Sequence, residues 1–390
     1  MKVVCVGGGT GGHTLPVLAV IKALERANNN AKIVFVGSKF GIEARLVPKM
    51  GIKYYGISTG KFRRYHNSKI LNIIDPTTFI KNFTDFFRFI RGIGEARTIL
   101  IHEKPDVVFA KGGFVSLPVG LAAKLLKIPL ITHESDVVMG LANRRLARYA
   151  EKVCVSFPSK DLDLEGIDPG KIIETGNPIR DDILMGDRDT YLRGIGFDKK
   201  LKTILLLGGS QGSRFLNDLL AEKLEKILEL GQVIWIAGER DADMVNYRIQ
   251  ELKEEQKKRV KVYGFVTSEI ADVYAASDIV ISRSGSNVLF ELAAMGKPAI
   301  LVPFDDAAGS HQLANAKVFS RSGAAYLFRQ HDLTGASLAH QLEYLFKNEK
   351  ELGSMANSMR SLANLGASDN VARAILKIGE ERLEQAQEIK

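Results

Sequence analysis

The feature that most constrains this chain is a glycine-rich turn that occurs twice, once near the start of each half. Residues 3–24 read as an apolar strand, then Gly8-Gly9-Thr10-Gly11-Gly12-His13, then a helix. Residues 204–224 repeat the plan with Gly208-Gly209-Ser210-Gln211-Gly212-Ser213, so that Gly8, Gly9, Thr10 and Gly12 fall opposite Gly208, Gly209, Ser210 and Gly212. Glycine permits the tight turn, and the N–H groups at the following helix start, with the helix dipole behind them, favour a phosphate. Two such turns in one chain suggest a single nucleotide held between two domains.

At 390 residues the chain exceeds the size at which one core keeps growing, which predicts two domains of roughly 180 residues each. No run approaches the roughly 18 apolar residues of a membrane span. The start MKVVCVGGG lacks the basic, apolar and cleavage regions of a signal peptide, so the chain is expected to stay in the cytoplasm. The two cysteines, Cys5 and Cys154, lie in apolar runs and read as small buried hydrophobes. A net charge of +9 implies attraction to something anionic. Without an aromatic-basic signature, a zinc knuckle or a recognition-helix pattern, nucleic acid is not the expected partner.

Strand-like runs at residues 2–6, 33–36, 107–110, 130–133 and 152–155 alternate with helical patterns, and the second half repeats this at 203–207, 233–237, 260–263, 279–282 and 299–302. Such alternation reads as α/β, with a doubly wound parallel sheet in each half. Gly176, Asn177 and Pro178 break regular structure in a row and place a hinge near Pro178. From about Asn370 the chain is charged and helix-prone, and Val371, Ala374, Ile375 and Ile378 give one apolar stripe that is expected to pack across the domains. Ligands of doubly wound sheets bind at the carboxyl ends of the strands, which puts the expected active site in a cleft between the domains.

The usual nucleotide motifs are absent. A dinucleotide site needs an acidic residue near the end of the second strand, but Val34-Phe35-Val36 runs into Gly37-Ser38-Lys39, and neither turn has the Gly-Lys-Ser/Thr of a P-loop. His13, at a helix start, is either a proton acceptor or a structural residue. His133-Glu134-Ser135-Asp136 and His311-Gln312 also end apparent strands or loops. Ser282-Arg283-Ser284-Gly285-Ser286-Asn287 follows a strand and opens a helix carrying Glu291 among Leu289, Phe290, Leu292 and Ala293. A carboxylate in such a neighbourhood needs a partner, which a ribose diol would supply; a solvent-facing glutamate is the other reading.

Metal binding is not expected. His133-Glu134 lacks the helical spacing of a zinc motif, and the Asp-x-Asp triplets at Asp161/Asp163, Asp187/Asp189 and Asp241/Asp243 read as solvated loop charges. Lys61-Phe62-Arg63-Arg64-Tyr65, followed by Phe79, Ile80, Phe83, Phe86, Phe87, Phe89 and Ile90, joins basic residues to an apolar stripe. That stretch is either core or a contact with anionic lipid.

Taken in order, seven segments resemble the MurG family of peptidoglycan glycosyltransferases over nearly the whole chain: Gly7 to His13, Lys111 to Ser116, His133 to Asp136 with Gly140 to Asn143, Gly176 to Arg180, Gly208 to Gly212, Ser284 to Glu291, and His311 to Ala316. The resemblance implies the GT-B fold, two doubly wound Rossmann-like domains facing across a cleft. It assigns residues 1–178, completed by a C-terminal helix at about 370–390, to the acceptor and membrane side, and residues 179–369 to the UDP-sugar. It implies inverting transfer of N-acetylglucosamine from UDP-N-acetylglucosamine, a substrate rather than a cofactor, to the muramyl 4-hydroxyl of lipid I, giving lipid II. No cofactor and no metal are implied. Carried over, Arg180, Ser210, Val266, Ser286, Asn287, Val288, Leu289, Phe290, Glu291 and Gln312 hold the donor, with Glu291 on the ribose. Thr10, Gly11 and Gly12 approach the donor sugar and the acceptor diphosphate, His13 is the candidate base, and Gly112, Gly113, Glu134, Asp136 and Asn143 are further candidate contacts. The best-known form of the motif has Gln-Asn where this chain has Ser135-Asp136, so the resemblance does not by itself give Asp136 a donor contact. It also implies a peripheral protein on the anionic cytoplasmic face of the cell membrane, with other cell-wall synthesis proteins as candidate partners. Two alternatives on the same fold are a nucleotide-sugar 2-epimerase, which needs no lipid surface, and a nucleotide-sugar sensor without turnover.

Overall fold

The computed structural model of the chain describes residues 1–9, 11–60, 76–209, 212–304 and 310–388, with side chains throughout those ranges except at 76–82 and 386–388. Thr10, Ser210 and Lys61 to Tyr65 lie outside the described residues, as do the side chains of Phe79 and Ile80. The chain divides into two units, residues 1–180 with 364–390, and residues 181–363.

The first unit holds β1 (Lys2–Val6), β2 (Lys32–Ser38), β3 (Lys53–Ile57), β4 (Val107–Ala110), β5 (Leu130–Glu134), β6 (Lys152–Val155) and β7 (Ile172–Glu174). They form one sheet in the order β3-β2-β1-β4-β5-β6-β7, and every pairing is parallel. The second unit holds β8 (Thr203–Leu207), β9 (Gln232–Ile236), β10 (Val260–Tyr263), β11 (Ile279–Ser282), β12 (Ala299–Leu301) and β13 (Ala325–Leu327), in the parallel order β10-β9-β8-β11-β12-β13. In each sheet the strand order reverses beside the first strand of the unit, between β1 and β4 and between β8 and β11. Ligands of open α/β sheets collect outside the carboxyl ends at that reversal, and both glycine turns leave the sheet there.

A parallel strand covered on both faces must be apolar on both, and β1 shows why its sequence is a continuous apolar run. Val4 and Val6 enter one core with Val34, Val36, Val108 and Ala110. Val3 and Cys5 enter the opposite core with Phe35, Phe109, Cys154 and the helix Gly11–Ala27. Both cysteines are free and buried. Three strands escape the sequence reading, β3, β7 and β13, and all three are sheet edges. β3 carries Gly56 and half-buried tyrosines, while β7 and β13 have three residues each. Edge strands need neither length nor a two-sided apolar run, so the pattern that marks the central strands is missing from them.

The terminal helix spans Ala367–Glu388. Its stripe enters the first unit's own core, where Val371, Ala372 and Ile375 are buried with Val17, Ile21 and Leu24. The acidic triplets have local roles: Asp187 caps the helix Arg188–Gly194, Asp163 pairs with Arg144, and Asp241 with Arg214. Among the described residues no helix is long and apolar enough to cross a membrane.

Ile375 is fully buried and Lys377 is exposed on the same helix. Ile375→Ala is expected to lower stability by about 2–5 kcal/mol through lost burial and the cavity it leaves. Lys377→Ala should stay within about 0.5 kcal/mol. Urea unfolding of the two variants checks this.

Candidate functional site

In the first unit the carboxyl ends of β1, β4 and β5 bring one polar cluster together. The first glycine turn runs directly into the helix Gly11–Ala27, which puts Gly11, Gly12 and His13 in its first turn. After β4, Gly112 and Gly113 both take positive φ, 92° and 77°, and open the helix Gly113–Leu125. A Cβ on Gly113 would lie 3.0 Å from the His13 ring, and one on Gly112 would lie 2.7 Å from the Asn143 side chain. Only glycine lets this backbone pass between the two side chains.

Glu134, at the end of β5, is buried, and four donors surround its carboxylate. Ser135 and Asp136 N–H donate to Oε1 at 2.8 and 2.9 Å, and Gly140 N–H and the Asn143 amide donate to Oε2 at 2.9 Å each. Asn143 also donates to the His133 carbonyl at 2.9 Å and accepts from Thr132 Oγ1 at 2.8 Å. Glu134 and Asn143 thus shape the loop that carries Asp136, which is half-buried. His133 points the other way, with Nε2 3.0 Å from the Gly176 carbonyl.

Lys111 was not singled out by the sequence reading, although it is quoted in the motif Lys111 to Ser116. It directly follows β4 and is fully buried, and its ammonium donates to the Ser135 hydroxyl, which in turn donates to Asn177 Oδ1 at 2.9 Å. Burial pushes its pKa down to about 8, against the opposing pull of Glu134 and Asp136. Burial also pushes His13 down to about 4, and the Lys111 ammonium adds to that shift. Asp136, the Lys111 backbone and Glu43 oppose it. His133 is held well below the ordinary histidine value by burial and by Lys111. Burial and the Asp136 charge raise Glu134, while the bonds from Asp136 N–H, Asn143 and Gly140 pull it back. His13 is therefore neutral across the physiological range, with a lone pair available to accept a proton. Its Nδ1 is buried without a hydrogen-bond partner among the described residues.

In the second unit the corresponding ends of β8, β11 and β12 carry the other candidates. The helix Ser286–Met295 follows β11, with its internal ladder starting at Leu289 N–H on the Gly285 carbonyl at 3.1 Å. Ser286 is buried at the helix start, and Asn287 and Val288 are half-buried. Leu289 and Phe290 are buried side chains, and Phe290 packs edge-on to Phe319, so neither side chain presents a polar group to a ligand. Glu291 is half-buried and accepts from the Tyr274 hydroxyl at 2.9 Å, a protein partner that periodicity does not reveal. Gln312 lies in the first turn of the helix His311–Arg321, accepting from Phe304 N–H at 3.0 Å through its side chain and from Ser284 Oγ at 2.8 Å through its carbonyl. Val266 is half-buried in the loop after β10, and Arg180 is half-buried at the end of the first unit's main segment.

Arg283 is the second residue that the sequence reading quotes without a role. Its guanidinium donates to Ser213 Oγ at 2.9 Å and to the carbonyls of Val302 and Pro303 at 3.0 and 3.1 Å. It lies 5.4 Å from the Phe304 ring. An arginine at the end of β11 thus ties the second glycine turn to the end of β12 and leaves a positive charge beside it. The signal was available: a cation directly after a strand that neighbours a glycine turn.

Both halves of the chain match family models. Residues 3–155 match the glycosyltransferase family 28 N-terminal domain and residues 203–372 the glycosyltransferase family 28 C-terminal domain. A protein of Clostridium tetani (strain Massachusetts / E88) is 39% identical over 359 residues, 92% of this chain and 93% of its own. One of Clostridium botulinum (strain Alaska E43 / Type E3) is 37% identical over 377 residues, 96% of this chain and 98% of its own. Both are named UDP-N-acetylglucosamine–N-acetylmuramyl-(pentapeptide) pyrophosphoryl-undecaprenol N-acetylglucosamine transferase. Among solved structures, MurG of Acinetobacter baumannii superposes with a TM-score of 0.72 at 27% identity, covering 96% of this chain and 99% of that one. A putative UDP-N-acetylglucosamine 2-epimerase of Listeria monocytogenes gives 0.71 at 15% identity over 97% of each chain, a likeness of fold alone. With both halves matched and relatives of this identity spanning nearly its full length, the chain belongs to glycosyltransferase family 28, among the MurG glycosyltransferases.

Proposed function

We propose that the chain transfers N-acetylglucosamine from UDP-N-acetylglucosamine to the muramyl 4-hydroxyl of lipid I, giving lipid II and UDP. The observation that carries this is the 37–39% identity, over 89% or more of this chain, to proteins named for that transfer. In the reaction the acceptor oxygen attacks the anomeric carbon, the bond from that carbon to the diphosphate breaks with inversion, and the acceptor proton goes to a base. His13 takes that proton: its neutral imidazole sits at a helix start against Gly113.

Negative charge develops on the departing diphosphate, and fixed dipoles stabilise it where it appears. The helix start at Ser286 to Val288 and the cation of Arg283 beside the second glycine turn supply such a field in the second unit. Glu291, oriented by Tyr274, takes the ribose hydroxyls, and Gln312, whose side chain accepts from Phe304 N–H, also holds the donor. The family resemblance adds Arg180, Val266 and Ser210 to the donor residues and assigns Thr10, Gly11 and Gly12 to the donor sugar and the acceptor diphosphate. Asp136 and Lys111 set the charge around His13, so their part is electrostatic.

The acceptor carries a lipid chain, and the helix Pro76–Glu103 offers a surface for it. Phe83, Phe86, Phe87 and Ile90 are 55, 47, 57 and 49% exposed, and Phe87 packs on both neighbouring phenylalanines. Arg88 and Arg91 stand exposed among them. Apolar area next to arginine suits the anionic inner face of a membrane, where the protein binds peripherally.

Labelled donor incubated with a short-chain lipid I analogue and EDTA is expected to give the disaccharide product only when acceptor is present. Conversion of the donor sugar without acceptor would instead support a 2-epimerase, and donor binding without any product a sensor. For the membrane surface, the double variant Phe83→Ser with Phe87→Ser should bind vesicles of phosphatidylglycerol and phosphatidylethanolamine about tenfold more weakly in a sedimentation assay. Unchanged binding would remove this helix from the membrane contact.

A further inference from the structure

Glu43 lies beneath the first glycine turn, and nothing in its sequence context announces it. It is the first residue of the helix Glu43–Lys49 and is completely buried. Gly9 N–H donates to both of its oxygens at 3.1 Å. Ser38 donates to Oε1 twice, through N–H at 2.9 Å and through the hydroxyl at 2.5 Å. A carboxylate taken out of water needs such donors, and these come from the turn after β1 and the end of β2.

The surrounding backbone is shaped for that one group. A Cβ on Gly8 would lie 2.2 Å from Glu43 Oε1, one on Gly41 would lie 2.2 Å from each oxygen, and one on Gly37 would lie 2.6 Å from Cγ. Three glycines in three segments leave a cage that a carboxylate fills. The glycine turn therefore does not offer the Gly9 N–H to a ligand, because an internal anion already holds it.

The second turn follows the same sequence plan and is held the opposite way. There the Arg283 guanidinium donates to Ser213 Oγ, and the fixed charge beside the turn is positive. One turn is latched by an anion and the other by a cation, which matches a base that gains positive charge in the first unit and a diphosphate that gains negative charge in the second.

We propose that Glu43 is a positioning residue for His13, latching Gly9 and Ser38 so that the helix carrying the imidazole starts with the ring against Gly113. The inference rests on His13 being the proton acceptor. Through the turn, Glu43 fixes where the base stands, and its charge favours the imidazolium that forms when the acceptor proton arrives.

The test is a double-mutant cycle on transfer from labelled donor to the lipid I analogue. Glu43→Gln keeps the size but turns an NH2 group toward N–H donors, and it should lower kcat about tenfold or more with the donor KM within about twofold. In the His13→Ala background the same substitution should change the residual rate by less than about twofold, because a group that acts through His13 has nothing left to position. Equal losses in both backgrounds, or an unchanged kcat in the single variant, would overturn the proposal. If His13→Ala itself leaves the rate unchanged, the base assignment fails instead, and the two failures are told apart by the single variants. Ser38→Ala keeps the carboxylate and the Gly9 bond, so it guards against a folding defect in Glu43→Gln. It should give a smaller loss of kcat with His13 and none without it, and losses of the same size in both backgrounds would again contradict the proposal.

Discussion

The chemistry of this protein depends on the removal of water from the carboxyl ends of β1, β4 and β5. Burial alone accounts for the largest part of every shift in that cluster: His13 and His133 are pushed down, Lys111 is pushed down, and Glu134 is pushed up. Each group then finds what partners the strand ends supply. Glu134 has four donors, Lys111 has the Ser135 hydroxyl, and Glu43 has Gly9 and Ser38. The result is a neutral imidazole within a field of fixed charges, which is the state a base needs before substrate arrives. A fully solvated His13 with its ordinary pKa would be protonated for part of the physiological range and unable to accept.

The same topology serves both units, and their difference lies in the charge placed at the strand-order reversal. In the first unit the residue after β4 is Lys111, but it is turned inward and the glycine turn is closed by Glu43. In the second unit the residue after β11 is Arg283, which spans from Ser213 to the end of β12. The repeated turn is thus a common frame that carries a buried carboxylate in the first unit and a guanidinium in the second.

The central strands are legible in the sequence because burial on both faces demands unbroken apolar runs, as in residues 2–6 and 203–207. The edge strands β3, β7 and β13 are not, since half-exposed or very short segments carry no such pattern. Gly112, Gly113, Glu134, Asn143 and His13 are visible as separate motifs, and the structure brings them to one place through two positive-φ glycines and one buried carboxylate. Glu43, Lys111 and Arg283 were missed as candidate positions for a shared reason. Their importance lies in what they touch across the sheet, and neither periodicity nor spacing records a contact between segments far apart in sequence. Glu291 shows the converse, a carboxylate that reads as either held by a ribose or facing solvent and has Tyr274 as a protein partner.

The most direct test of this account is the protonation state of His13 in the protein without substrate. Imidazole nitrogen-15 shifts of the chain at pH 6, assigned by the signal lost in His13→Gln, distinguish a neutral ring from an imidazolium. Burial and the Lys111 charge, which hold the pKa near 4, predict two well-separated nitrogen shifts, one pyrrole-like and one pyridine-like. A single pair of closely spaced imidazolium shifts at that pH would contradict the claim that desolvation keeps the base ready.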